Sequence, residues 1–194
     1  MIELKVIFEN EELQKTKSEQ LSKNYEGALA LEEICVSKYS PGTVDNSENL
    51  ARQIFSPIHL DKDNRINAAF FTDVFDKGLS TNRLMYSDPD KIHASGEKTV
   101  KRIQEERNQT RTYIGFVSAN TGDIRAITEE GSHRVYCVYD SSLEQDSSHA
   151  DVCMIRPENP PSMKDSKKSI KLERRRHLQE AFQKVPVTLA PTEK

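Results

Sequence analysis

Four short apolar segments between residues 111 and 155 constrain the fold of this chain more than any other feature of its sequence. They cover residues 113–117, 124–127, 135–139 and 152–155, and each has the length and composition of a β-strand. Between the first two lies the run Asn120-Thr121-Gly122-Asp123, which predicts a hairpin turn because Gly122 can take a positive φ. We therefore predict an α+β fold: an antiparallel meander sheet with flanking helices and a C-terminal basic amphipathic helix.

Weaker patterns predict the elements around this sheet. Alternating apolar residues predict a strand over residues 2–8, and the compact apolar run 66–71 predicts a buried strand. An amphipathic helix is predicted over 97–107, and a short helix is predicted from a cap at Asn46 or Ser47 to Pro57. Residues 9–26 predict a solvated helix or a mobile loop because they have few apolar side chains, and residues 78–86 predict a loop.

The length of 194 residues suits one domain with a substantial core. We divide it into an N-terminal strand and polar helical segment (1–45), a core α+β domain (46–160) and a basic helical tail (161–194). No apolar run approaches the roughly 20 residues that a membrane span needs, so no membrane association is predicted. The three cysteines are odd in number and widely spaced, which indicates a reducing compartment and predicts a cytoplasmic location.

One strand in the last apolar segment has a chemically suggestive alternation. Alternate side chains of a strand share a face, so His149, Asp151 and Cys153 are predicted to lie together. A histidine, a carboxylate and a thiol on one face could bind a metal or form part of a nucleophilic site. In the nucleophilic site His149 would be the general base, with Asp151 orienting it or Cys153 as the nucleophile. The alternative is that Ser147, Ser148 and His149 are loop and Cys153 is an ordinary buried thiol.

Two arginines and a second histidine are further candidates. Arg83 ends the polar run 80–83 between apolar elements and, with Arg52, could hold an anionic ligand. Both arginines could equally extend to solvent. His59 precedes acidic positions that resemble the start of a calcium loop, but the loop's glycine and final glutamate are missing, so a polar turn is the alternative.

The predicted C-terminal helix concentrates positive charge, although the whole chain has a net charge of −3. Its basic half could contact phosphates or an acidic protein surface, and the apolar stripe that follows could pack on the domain or on a partner. A solvated helix end is the alternative. The candidate nucleic-acid or partner-binding residues are Lys167, Lys168, Lys171, Arg174, Arg175, Arg176 and Phe182.

Several common chemistries lack their motif in this sequence. There is no glycine-rich phosphate loop, no Cys-x-x-Cys pair, no His-Glu-x-x-His and no Gly-x-Ser-x-Gly. Nucleotide-dependent, zinc-dependent and serine-hydrolase families therefore lose support, no metal site is predicted, and no cofactor is assigned. Chemistry that uses residues scattered through the sequence remains open.

Three short segments together resemble a widespread group of small uncharacterised bacterial proteins. They are Asn64-Arg65-Ile66-Asn67-Ala68-Ala69-Phe70, Leu79-Ser80-Thr81-Asn82-Arg83-Leu84 and Ser148-His149-Ala150. Asn64 stands where that group usually has glycine, and Arg83 stands where an aromatic residue is frequent. The resemblance covers roughly residues 50–155 and implies a bacterial or phage setting, with no activity to transfer.

Three functions remain open. The first hypothesis is a non-catalytic interaction subunit of a bacterial or phage multi-protein system, defence or conflict included, with a protein partner. The second is a small hydrolase or transferase that acts on a nucleotide or nucleic acid, which predicts that His59, His149, Arg52 and Arg83 converge in one pocket. The third is a nucleic-acid binder that uses the C-terminal helix.

Overall fold

The computed structural model describes residues 2–129, 132–156, 167–184 and 187–191. Its α-helices are α1 (Ile2–Glu9), α2 (Glu11–Gln14), α3 (Lys17–Ser22), α4 (Tyr25–Glu32), α5 (Pro89–Arg107), α6 (Thr121–Arg125) and α7 (Lys167–Gln183). A 3₁₀ helix covers Ala68–Phe75. The strands are β1 (Asn49–Ser56), β2 (Leu79–Arg83), β3 (Thr112–Asn120), β4 (Thr128–Glu129), β5 (His133–Arg134), β6 (Tyr136–Tyr139), β7 (His149–Met154) and β8 (Thr188–Leu189).

Six of these strands form one sheet, in the order β6-β7-β2-β1-β3-β8. All five neighbouring pairs are antiparallel, which confirms the predicted α+β class with an antiparallel sheet. β4 and β5 form a separate two-stranded ribbon. β1 and β2 are paired only at Leu50↔Arg83 and Ala51↔Asn82, whereas β1 is paired with β3 along its whole length. β1 and β2 therefore part after Ala51, near the middle of the sheet.

One face of the sheet carries the main core. Ala150, Val152 and Met154 of β7 lie in one cluster with Leu178 and Phe182 of α7. The 3₁₀ helix and α6 add further apolar side chains to this cluster. The burial of these side chains is the main stabilising contribution of this layer, at roughly 25 cal/mol per Å² of apolar surface removed from water.

Two groups of helices pack on the opposite face. Helices α1 to α4 cover β6 and β7, where Leu21 and Leu31 join Cys137, Tyr139 and Cys153 in a second cluster. Helix α5 covers β1 and β3, through a third and smaller cluster that contains Ala51, Ile92 and Phe116. The middle of this face, around β2, lies between the two groups of helices.

Residues 2–9 form helix α1, so the predicted strand over residues 2–8 is wrong. Ile7 is buried and Leu4 and Phe8 are partly buried against the second cluster, while Val6 is exposed. The buried positions are thus three and four residues apart, which is the helical spacing. The polar segment 9–26 contains α2, α3 and the start of α4, and Lys17, Ser18 and Leu21 are buried there.

The segment that follows Asn46 is the central strand β1, so the short helix predicted before Pro57 is wrong. β1 is bonded on both sides, to β2 and to β3. A strand in this position buries residues on both faces, and Leu50 and Ala51 are both fully buried. Local periodicity could not distinguish such a strand from a short buried helix.

Two predictions within residues 66–86, a strand followed by a loop, are both wrong. The expected strand over 66–71 is instead a 3₁₀ helix, whose N-cap Asn67 accepts a hydrogen bond from the Phe70 amide. The expected loop over 78–86 contains the inner strand β2. Pairing with β7 on one side and β1 on the other outweighs the polar character of β2.

The hairpin predicted at Asn120 is a helix instead. The Asn120 side chain accepts a hydrogen bond from the Gly122 amide and caps α6, which buries Thr121 and Ile124. The predicted return strand over 124–127 is therefore wrong, whereas the strands predicted at 113–117, 135–139 and 152–155 are confirmed as β3, β6 and β7. The helix predicted over 97–107 is confirmed within the longer α5.

No helix in the described part of the chain has the length and apolar character of a membrane span.

Candidate functional site

A cavity of about 1330 Å³ opens over the middle of the sheet, where the two groups of helices face each other. Its walls come from α1 to α3, the loop around residue 142, the 3₁₀ helix and α5. Ser80 of β2, His149 and Asp151 of β7, Arg52 of β1 and His59 all line it. Three of the four residues whose convergence the enzyme hypothesis predicts are therefore in one cavity.

His149 lies between a hydroxyl group and a backbone carbonyl group. Its Nε2 is 3.1 Å from Ser80 Oγ, and its Nδ1 is 2.9 Å from the carbonyl oxygen of Ser141. Ser141 Oγ is also 3.0 Å from Nδ1. The carbonyl oxygen can only accept, so it favours the neutral tautomer with the proton on Nδ1, in which the Nε2 lone pair faces the Ser80 hydroxyl. Ser80 is exposed on its strand, so this hydroxyl is accessible from the cavity.

The strand alternation predicted for residues 149–153 is present. Asp151 pairs with Ser80 across the β2–β7 ladder, and His149 pairs with Asn82. Asp151 does not contact His149 directly, because its carboxylate forms a buried ion pair with Lys17 of α3. The Ser141 side chain lies between the two residues, with a hydrogen bond to Asp151 and with Oγ 3.0 Å from His149 Nδ1. Asp151 therefore has no direct bond to His149, and its connection to the ring runs through Ser141.

The Lys17–Asp151 pair keeps both groups charged inside the protein. Burial raises the pKa of the Asp151 carboxyl, but the Lys17 ammonium outweighs it, and the net pKa is below the usual value. Burial likewise lowers the pKa of Lys17, and Asp151 reverses this, so that the net pKa is raised. One wall of the cavity thus contains a permanent ion pair that fixes α3 to β7.

Arg52 fills the gap where β1 and β2 part. Its Nη1 donates to the carbonyl oxygen of Ser80 at 3.0 Å, so the guanidinium lies beside the residue whose hydroxyl faces His149. Its Nη2 is 3.4 Å from both the Phe70 carbonyl oxygen and Asp73 Oδ2. These two contacts are long for hydrogen bonds. Burial lowers the pKa of Arg52, and Asp73 only partly offsets this.

His59 is held as a neutral ring in the same cavity. Its Nδ1 accepts a hydrogen bond from the Phe55 amide at 3.0 Å, so the single proton of the neutral ring is on Nε2. Burial, and then the charges of Arg52 and Arg111, lower its pKa from 6.5 to about 3. His59 is therefore a hydrogen-bond donor at neutral pH and not a base.

The residues around this cavity are the only guide to its chemistry. No family model matches the chain, and no curated protein or solved structure is similar to it. Among the described residues, no group of three or more His, Cys, Asp or Glu side chains is placed to hold a metal ion.

Arg83 lies outside the cavity, contrary to the predicted convergence. Its guanidinium is buried and donates to both carboxylate oxygens of Glu48, at 2.7 and 2.6 Å. It also donates to the carbonyl oxygens of Gly42 and Thr43. Because these bonds occupy its donors, Arg83 fixes the loop before β1, and it does not line the cavity.

Cys153 is fully buried and does not line the cavity. Burial raises its pKa to about 12, so the thiolate is scarce at neutral pH. This agrees with the alternative of an ordinary buried thiol.

The C-terminal basic helix is part of the folded unit. Phe182 is fully buried 5.5 Å from Phe71, and the guanidinium of Arg174 is buried against Glu129 at 2.7 Å. Arg175 donates to Thr72, and Lys171 lies over the ring of Phe75. Lys168 and Arg176 are exposed, and the Lys167 side chain is outside the described residues. Phe182 and Arg174 therefore face the interior, not a partner.

Three residues of the cavity were not singled out from the sequence. Ser80 stood within the noted run 80–83, but without a motif around it. Lys17 lay in a segment with no apolar pattern, and Arg111 preceded a predicted strand. Strand alternation is the one signal that could have found Ser80. Ser80 and Asn82 share a face of β2, and Asn82 pairs with His149 on the neighbouring strand.

Proposed function

We propose that this protein is a small hydrolase or transferase in which Ser80 is the nucleophile and His149 is its general base. One observation supports this above the others. His149 Nε2 faces Ser80 Oγ at 3.1 Å inside an open cavity, while the Ser141 carbonyl contacts Nδ1 and favours the required tautomer from the other side. A nucleophile, a base and a group that orients the base are the parts that covalent catalysis requires.

The proposed reaction needs only these two side chains for its proton transfers. As Ser80 Oγ forms a bond to the electrophilic carbon or phosphorus of the substrate, its proton passes to His149 Nε2. The bond to the leaving group breaks, and that group takes the proton from His149. Water or a second substrate, deprotonated by His149, then releases the covalent intermediate.

Arg52 supplies the charge that such a step needs. Negative charge develops on the substrate when an acyl or phosphoryl group is attacked, and a fixed cation nearby stabilises it. The Arg52 guanidinium is bonded to the backbone of Ser80 itself, at 3.0 Å. Its low exposure keeps it poorly screened by water, since the side chain is 11% exposed.

Among the described residues, the interaction-subunit hypothesis has less support in its edge-strand form. It predicts an exposed apolar patch or an unpaired edge strand. The outer edge of β6 is occupied, because the Val138 amide donates to Glu32 and the Tyr136 carbonyl accepts from Arg134. The other described edge, β8, is two residues long.

Labelling with a fluorophosphonate tests this proposal without knowledge of the substrate. The reagent phosphonylates an activated serine and releases fluoride. We expect one label per chain on Ser80, identified by peptide mass spectrometry, and loss of the label in Ser80→Ala and His149→Gln. Ser95→Ala, at an exposed site on α5, is the matched control and should be labelled like the wild type.

Circular dichroism and thermal unfolding establish that each variant is folded. A folded wild-type protein that takes no label, or a label that persists in Ser80→Ala, contradicts the proposal.

A further inference from the structure

We propose that Arg52, His59 and Arg111 form a phosphate-binding subsite of the cavity. The role of this subsite in holding the substrate rests on the function proposed above, whereas its binding of phosphate does not. If both are correct, the substrate is a small molecule that carries a phosphate group.

Arg52 has more hydrogen-bond donors than the protein uses. A guanidinium has five N–H groups, and here it makes one contact of normal length and two long ones. Its Nε is buried and, within the described ranges, has no hydrogen-bond partner. Asp73, its nearest carboxylate, is 38% exposed and is shared with Lys77 at 3.5 Å. A buried cation with so little compensation favours an anionic ligand.

His59 adds a neutral donor beside this cation. The ring of His59 and the guanidinium of Arg52 pack on the same Phe70 ring, with distances to its centroid of 4.7 Å and 5.1 Å. Because the Phe55 amide occupies Nδ1, the Nε2–H group is the part of the ring left to bond a ligand. It would donate to an oxygen without requiring a second proton.

Arg111 adds a second positive charge to the subsite. It lines the cavity, its charge is one of the two that act on His59, and its Nη2 donates to the neutral side chain of Gln109. No carboxylate in the described part of the chain forms an ion pair with it. Arg102 and Arg107 on α5 line the same cavity and are exposed.

Phosphate suits this arrangement better than a carboxylate. It offers more acceptor oxygens and carries up to two charges, and guanidinium groups bind it in a bidentate manner. The three groups come from different segments of the chain and line one cavity. The cavity of about 1330 Å³ exceeds the usual range of roughly 300–1,000 Å³ for small-molecule pockets, so there is room for a large organic group on that phosphate.

Titration with inorganic phosphate at constant ionic strength tests the subsite. The readout is the histidine ring signals in NMR spectra, together with the thermal unfolding midpoint. We expect saturable shifts of the His59 signals and a higher midpoint in the wild type. Arg52→Gln and Arg111→Gln should each weaken binding about tenfold or more, since each removes a charge-assisted bond. Arg65→Gln, an exposed arginine outside the cavity, should bind like the wild type.

The result that would overturn the subsite is a linear, unsaturated response in the wild type, or an equal loss in Arg65→Gln. Ser80→Ala separates this proposal from the enzymatic one. Saturable phosphate binding by Ser80→Ala, together with no fluorophosphonate labelling of the wild type, supports the subsite and rejects the nucleophile. Labelling of Ser80 without phosphate binding gives the opposite conclusion.

Discussion

Lys17 of α3 and Asp151 of β7 form an ion pair that is buried under the N-terminal helices, with side-chain exposures of 7% and 3%. Lys17 also lies over the ring of Phe8, at 5.0 Å from its centroid. Asp151 is two residues from His149 on the same face of the strand. The pair therefore connects the packing of the N-terminal helices to the strand that carries the proposed general base.

Removal of one member of this pair should be costly. In Lys17→Met the Asp151 carboxylate stays buried without a counter-ion, which typically destabilises a protein by about 3–5 kcal/mol. We expect a loss of this size in the free energy of unfolding, measured by urea denaturation at pH 7. Asp151→Asn should leave Lys17 uncompensated in the same way.

The double variant and an exposed lysine are the controls. Lys17→Met combined with Asp151→Asn should lose less than the sum of the single changes, because neither charge is then left alone. Lys15→Met removes an exposed ion pair with Glu12 and should change stability by less than about 1 kcal/mol. Equal effects of Lys17→Met and Lys15→Met would contradict the role given to the buried pair.

His59 should make the stability of the protein depend on pH. Its pKa is about 3 in the folded protein, lowered by burial and then by Arg52 and Arg111, and near 6.5 in the unfolded chain. Between these values the unfolded chain binds the extra proton, so the stabilising contribution is complete above pH 6.5 and is lost as the pH falls below it. From pH 7 to pH 5 we expect this residue to contribute a loss of about 2 kcal/mol.

Urea denaturation at several pH values, in the wild type and in His59→Gln, measures this contribution. The variant should show a shallower loss between pH 7 and pH 5. His177→Gln, on α7 and outside the cavity, is the matched control and should retain the wild-type pH dependence. Identical slopes for wild type and His59→Gln would show that His59 titrates normally.

Helix α7 should be essential to the stability of the whole domain. Phe182→Ala removes a fully buried ring from the main cluster, where it contacts Phe71, and should cost about 3–5 kcal/mol. Leu172→Ala, at an exposed position of the same helix, should cost far less. Thermal and urea unfolding of the two variants measure the difference. A Phe182→Ala protein as stable as Leu172→Ala would mean that α7 is not bound to the sheet.

The sequence predicted strands that have an apolar pattern of their own. It did not predict strands whose extended form depends on pairing with neighbouring strands. β3, β6 and the second half of β7 contain short apolar runs, and these strands were found. β1 and β2 contain Arg52, Ser80 and Arg83, and their extended form comes from hydrogen bonds to neighbouring strands. The 3₁₀ helix shows the opposite case, because an apolar run typical of a buried strand begins at the cap Asn67.

The candidate site was predicted in part for the same reason. Arg52, His59, His149 and Asp151 were named from the sequence, and all four line the cavity. Their partners were not, since Ser80 is 69 positions from His149 and Lys17 is 134 positions from Asp151. Arg83 was assigned to the site because the loop carboxylate that neutralises it, Glu48, gives no local signal.

The sequence by itself determined the α+β class and the face that His149 and Asp151 share, because both follow from side-chain periodicity within one segment. The tertiary structure alone decided that α3 would bury Lys17 against Asp151, that β2 would bring Ser80 to His149, and that β1 and β2 would part at Arg52. These are contacts between segments far apart in the chain. Their formation depends on which strands pair and which charges are buried together, and no local pattern records either.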